Sequence, residues 1–161
     1  MQPTIRPAQA ADSDHLRRLQ SLLAEPAPSL LSAAMPSDTV TDHTATDHAT
    51  GDPDVSLSTT TFTLLVTVDE QDLPVGYLLA LRGEETHIAE LVVDPDYRRA
   101  GRGRTLLETV VDRSSGPLTV HVAADNDAAR RLYETVGFTE IARSADRFEH
   151  DDAITLRYDP Q

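Results

Sequence analysis

The chain contains no cysteine, no tryptophan and no lysine among its 161 residues. Without cysteine there are no disulfides, no thiol nucleophile and no thiolate-ligated metal. Without lysine there is no Walker A loop, whose GxxxxGK[ST] pattern requires that residue. Nor is there an apolar run long enough to span a membrane. The first residues also lack the basic-then-apolar order of a secretory signal, so a cytoplasmic protein is expected. Positive charge is scarce: 14 arginines stand against 27 acids, a formal net charge of −13. That balance argues against general binding of nucleic acid or anionic membranes, and it steers an amine substrate only weakly. An acidic, lysine-free composition suits either a halophilic source with a saline cytoplasm or a GC-rich genome poor in lysine codons. The length suits one domain with one core, residues 1–161.

Apolar periodicity then divides the chain. Thr4-Ile5-Arg6 reads as a short strand, and Asp12 or Ser13 as the cap of a helix bearing Leu16, Leu19, Leu22 and Leu23. Pro26 and Pro28 end that helix, and a second short one is expected over Ser29–Met35. Residues 36–57, polar and repetitive (TDHTA-TDHAT), read as a flexible loop that buries too little apolar area to offset its ordering entropy. His43 and His48 lie in it, each after an Asp, and a solvated loop explains them better than a metal site. Strands are expected at 61–68, 74–82, 86–93, 118–123, 138–143 and 153–158, with helices at 103–112 and 126–136. Hairpins first, then alternation with helices, predict a mixed α/β sheet.

The segment AELVVDPDYRRAGRGRTLLETVVDR, residues 89–113, carries the most information. An apolar strand ends at Asp94-Pro95, a basic turn follows, and Leu106, Leu107, Val110 and Val111 recur at helical spacing. A strand passing through a glycine turn into a helix start forms an anion site, because the first helical N–H groups lack partners and the dipole favours negative charge. Gly101 and Gly103 let the backbone approach the anion, and Arg98, Arg102 and Arg104 add charge-assisted donors. The dinucleotide fingerprint GxGxxG fails here because Leu106 stands where its third glycine would be.

The pattern Arg98-x-x-Gly101-x-Gly103 instead resembles the acyl-CoA loop of the GCN5-related N-acetyltransferases (GNAT). Residues 126–138, NDAARRLYETVGF, look like the second signature of that family. The core match covers roughly 62–158, with a family-like start at 3–24. The resemblance implies a mostly antiparallel central sheet splayed between two strands and flanked by about four helices. It implies acetyl-CoA as donor co-substrate, no metal, direct transfer to an amine acceptor, and homodimers, as family members often form. Among subgroups the ribosomal-protein N-terminal alanine acetyltransferases are the most similar, which points to a peptide N-terminus as acceptor. Small-molecule amines stay open, as does a non-catalytic acyl-CoA-binding module.

The same resemblance distributes roles. Leu91 and Val93 would pair with the amides of the pantetheine arm, and residues 100–104, including Ala100, would donate N–H groups to the pyrophosphate. Tyr133 would return a proton to the departing sulfur. Asn126 would touch the cofactor arm, although Asn is also a preferred helix N-cap. For the base there are three candidates: Glu90, where many family members carry an acid; His121, where the alanine acetyltransferases carry a glutamate; and His87. Glu90 reads equally well as a surface carboxylate. Arg130 and Arg131 would contact a CoA phosphate or pair with Glu134.

Overall fold

The computed structural model describes residues 3–23, 26–36, 61–98, 100–148 and 151–160. The expected loop, apart from Pro36, lies outside the described residues, as do His43 and His48. Seven strands form one sheet: β1 (Thr4–Pro7), β2 (Thr61–Val68), β3 (Pro74–Arg82), β4 (Thr86–Val93), β5 (Leu118–Ala123), β6 (Thr139–Phe148) and β7 (Asp151–Tyr158). Four helices flank it: α1 (Ser13–Gln20), α2 (Pro28–Ala34), α3 (Arg102–Arg113) and α4 (Asp127–Val136). The strand order is β1-β2-β3-β4-β5-β7-β6, antiparallel except between β4 and β5.

The sheet separates two apolar layers. On one face Leu106, Leu107 and Val110 of α3 and Tyr133 of α4 pack on Leu78, Ile88, Val120 and Ile154. On the other, Leu16, Leu19 and Leu31 of α1 and α2 pack on Val66, Tyr77, Leu79 and Val92. Alternating strand residues therefore feed different cores, which is why these strands read as nearly continuous apolar runs rather than half-buried ones.

Strand β4 has two irregularities. Its parallel pairing with β5 is confined to Thr86↔Leu118, His87↔Thr119 and Ile88↔Val120; beyond Ile88 no β5 partner occurs among the described residues. This is the expected splay. The second irregularity is a bulge. Leu79 pairs with Glu90 but Ala80 pairs with Ile88, so Ala89 is an extra residue. A bulge reverses which face later residues point to. Ile88 thus belongs to the α3–α4 layer, while Ala89 and Val92 pack in the α1–α2 layer.

Several local expectations are corrected. Helix α1 stops at Gln20, so Leu22 leaves the helical face and is 46% exposed. Asp12 does precede α1, but its carboxylate accepts from Arg6 (2.8 and 3.1 Å) and from the Gln9 N–H (2.8 Å) instead of capping the helix. Strand β6 runs on to Phe148, and β7 inserts between it and β5.

Candidate active site

The turn after β4 is held by hydrogen bonds at Asp94. Asp94 Oδ1 accepts from the Asp96 N–H (2.9 Å), and the Asp94 N–H reaches back to Val75 O (2.8 Å). Gly101 sits at φ 78°, ψ 12° as the residue before α3, a conformation that burdens any residue with a Cβ. A Cβ there would meet nothing within 4 Å, so the turn faces open space. The Thr105 N–H and hydroxyl both bond Gly101 O (2.9 and 2.8 Å), which closes the first turn. The N–H groups of Arg102, Gly103 and Arg104 lie ahead of that first bond, as at any helix start.

Gly103 faces α4 and β4. A Cβ on it would lie 3.4 Å from Leu132 Cδ2 and 3.8 Å from Val93 Cγ2. Those are ordinary van der Waals distances, so a Cβ would fit there against α4 and β4. The side chains of Arg98, Arg102 and Arg104 all have partners within the protein. Arg102 donates to Thr67 Oγ1 (2.9 Å) and Val68 O (2.8 Å) and lies 5.5 Å from the Tyr97 ring centroid. Arg104 pairs with Glu108 one helical turn on (2.6 Å), and Arg98 donates from Nε to Val93 O (3.0 Å). Backbone N–H groups and the helix dipole, with three cations nearby, are what this turn offers an anion. Arg130 pairs with Asp127 (3.8 Å) rather than Glu134.

From this turn a cleft of about 600 Å³ runs between β4 and α4. Leu91, Val93, Gly101–Arg104, Asn126, Leu132 and Tyr133 border it, and Leu22 and Leu23 approach from the α1 side. Both readings of Asn126 meet here: its Oδ1 accepts from the Ala129 N–H (3.2 Å), capping α4, while the residue lines the cleft. Tyr133 is 3% exposed, its ring edge-on to Phe138 at 5.2 Å. Burial pushes its phenol well above the usual range, so it stays protonated at neutral pH. Among the described residues its hydroxyl makes no hydrogen bond, and it sits at the cleft wall.

Glu90 is not a surface carboxylate. It is 4% exposed and does not border the cleft. Both its oxygens accept from Gln20 Nε2 (3.1 Å each), one also from the Ala27 N–H (2.7 Å) and the other from Tyr77 OH (2.9 Å). Burial first, then the neighbouring Glu90 charge, raises the Tyr77 phenol, which therefore remains a donor. His87 and His121 share the sheet face opposite the α3–α4 layer, half-buried, ring centroids 5.1 Å apart. His87 Nδ1 meets Thr119 Oγ1 (3.3 Å) and His121 Nδ1 meets Thr155 Oγ1 (3.0 Å). Gln20, Ala27, Tyr77, Leu22 and Leu23 were not foreseen as site residues. Among the described residues no three acidic or histidine side chains gather as metal ligands.

The sequence model of the acetyltransferase (GNAT) family matches residues 21–138. The chain belongs to that family. Within GNAT proteins, the ribosomal protein bS18-alanine N-acetyltransferase of Escherichia coli is 44% identical over 61 residues, 35% of this chain and 41% of that one. Peptidyl-lysine N-acetyltransferase YjaB of E. coli is 41% identical over 81 residues, 50% of this chain and 52% of that one. This chain thus spans about half or less of these curated relatives. The crystal structure of the E. coli ribosomal-protein-S18-alanine N-acetyltransferase superposes with a TM-score of 0.74 at 21% identity, over 98% of this chain and 93% of that one. At that identity the likeness speaks for the GNAT fold.

Proposed function

We propose that the protein is an acetyl-CoA-dependent N-acetyltransferase whose acceptor is a primary amine of a peptide or protein, with an N-terminal α-amine preferred. The observation that carries this is the cleft itself, with an open anion-binding turn at one end and a buried, protonated tyrosine at its wall. The residues fit the cofactor: the bare Gly101 turn offers N–H donors to a pyrophosphate, and Leu91, Val93 and Leu132 border an apolar channel suited to a pantetheine arm. When bound, acetyl-CoA supplies an acetyl thioester.

The remaining work falls to side chains. Tyr133 gives its proton to the departing sulfur, and its buried hydroxyl is held protonated for that purpose. Its burial also strengthens any bond it makes, because little water competes there. His121 takes the ammonium proton; an imidazole titrates near neutrality, and this one is half-exposed on the sheet face that carries Glu90. Glu90 is the weaker candidate, since it is buried at 4% exposure where His121 is half-exposed.

A protein amine is supported by the similarity to relatives named for ribosomal protein alanine and peptidyl-lysine acetylation. The test is CoA release with acetyl-CoA and a panel of peptides bearing free or blocked N-termini, internal lysines, and free polyamines. Turnover that requires a free peptide N-terminus supports the proposal. Turnover only on lysine side chains or polyamines would replace the acceptor, and acetyl-CoA binding without turnover on any amine would mark a binding module.

A further inference from the structure

One buried carboxylate reaches both ends of the segment joining α1 to α2. Gln20 is the last residue of α1, and Ala27 immediately precedes α2; both donate to Glu90, from 70 and 63 positions away in the chain. Tyr77 on the adjacent strand fixes the carboxylate from a third side. The β4 bulge at Ala89 is what turns Glu90 toward these partners. Leu22 and Leu23, which follow Gln20, border the same cleft as Leu91 and Leu132, while Glu90 does not. The two oxygens of a carboxylate can accept from all three donors. A Gln offers one oxygen and turns an NH₂ group toward donors that need an acceptor.

We infer that Glu90 is a positioning residue that clamps the α1–α2 connection to β4 and thereby sets which acceptors fit the cleft. Its bearing on acceptor choice rests on the transferase proposed above; the clamp itself does not. The opposed role, a base in contact with the acceptor, would need an accessible carboxylate with a vacant acceptor site.

The experiment is Glu90→Gln in the full chain, read in two ways. Amide hydrogen exchange should quicken about tenfold or more across residues 20–31 and stay unchanged across 102–113, because the lost bonds tie down only the first segment. In steady state with acetyl-CoA and an N-terminal peptide, the acceptor KM should rise about fivefold or more while kcat stays within about threefold and the pH profile keeps its shape. Tyr77→Phe, which keeps the carboxylate, should move both readouts less in the same direction, and it carries the test if Glu90→Gln does not fold. Unchanged exchange across 20–31 in both variants overturns the clamp. Loss of kcat with unaltered acceptor KM and a missing acidic limb would make Glu90 the base. If the wild-type protein acetylates no amine, the transferase fails and the exchange result still decides the clamp.

Discussion

On one face of β4, Leu91 and Val93 border a cleft completed by the turn and helix that come next in the chain; on the other, Glu90 is bonded by groups 63 and 70 positions away. The proposed donor side is made largely of backbone: a left-handed glycine, the N–H groups of a helix start and its dipole. The proposed acceptor side rests on side chains brought together by the packing of α1 and α2 on the sheet. A backbone site tolerates variation in the side chains around it, which explains why Arg102 and Arg104 can be engaged elsewhere without dismantling it. A side-chain site has no such latitude, and there a single altered acceptor should change which molecules enter.

If that contrast holds, damage should rank accordingly. Gly101→Asp strikes the backbone site with bulk and like charge, and acetyl-CoA affinity should fall by about 100-fold or more in calorimetry. Tyr133→Phe should slow transfer by about tenfold or more with the acetyl-CoA Kd nearly unchanged, measured by CoA release against titration. His121→Gln should also lower kcat, by about tenfold, and erase the acidic limb of the pH profile near the imidazole range; a retained limb moves the base elsewhere.

Away from the cleft, Asp12 tests stability alone. Burial would raise its carboxyl, but the bonds from Arg6 and Gln9 outweigh burial and leave it below the usual value. A depressed carboxyl contributes stability above its unfolded pKa of about 3.9, which is lost as pH falls through the lower folded value. Asp12→Asn should therefore lower stability by about 1–3 kcal/mol at neutral pH and flatten the acid side of a denaturant-midpoint curve. Smallest of all, Arg104→Ala should change acetyl-CoA affinity by no more than about threefold, since its guanidinium is exposed and paired with Glu108.

The same contrast governs what could be read from residues alone. The strands at 61–68, 74–82, 86–93 and 118–123 fall where apolar runs and turn residues put them. The Asn126 cap and the Gly101 turn are also local chemistry, with each signal contained in a few neighbouring positions. Arginine direction was not legible. Whether Arg102 faces a ligand or Thr67 depends on β2, 35 positions away. Nor was the Ala89 bulge: Glu90 obeys strict alternation with Val92, and only the register against β3 reveals that Ile88 faces the other way. Without the bulge there is no reason to join Glu90 to Gln20 and Ala27, and the carboxylate looks like surface.

The central claim is the donor cleft, and calorimetric titration with acetyl-CoA of the wild-type protein and Gly101→Asp, in low and in molar salt, tests it most directly. Micromolar binding by the wild type in at least one buffer, lost in the variant, is the predicted result. No binding by the wild type in either buffer, or equal binding by both proteins, would contradict it.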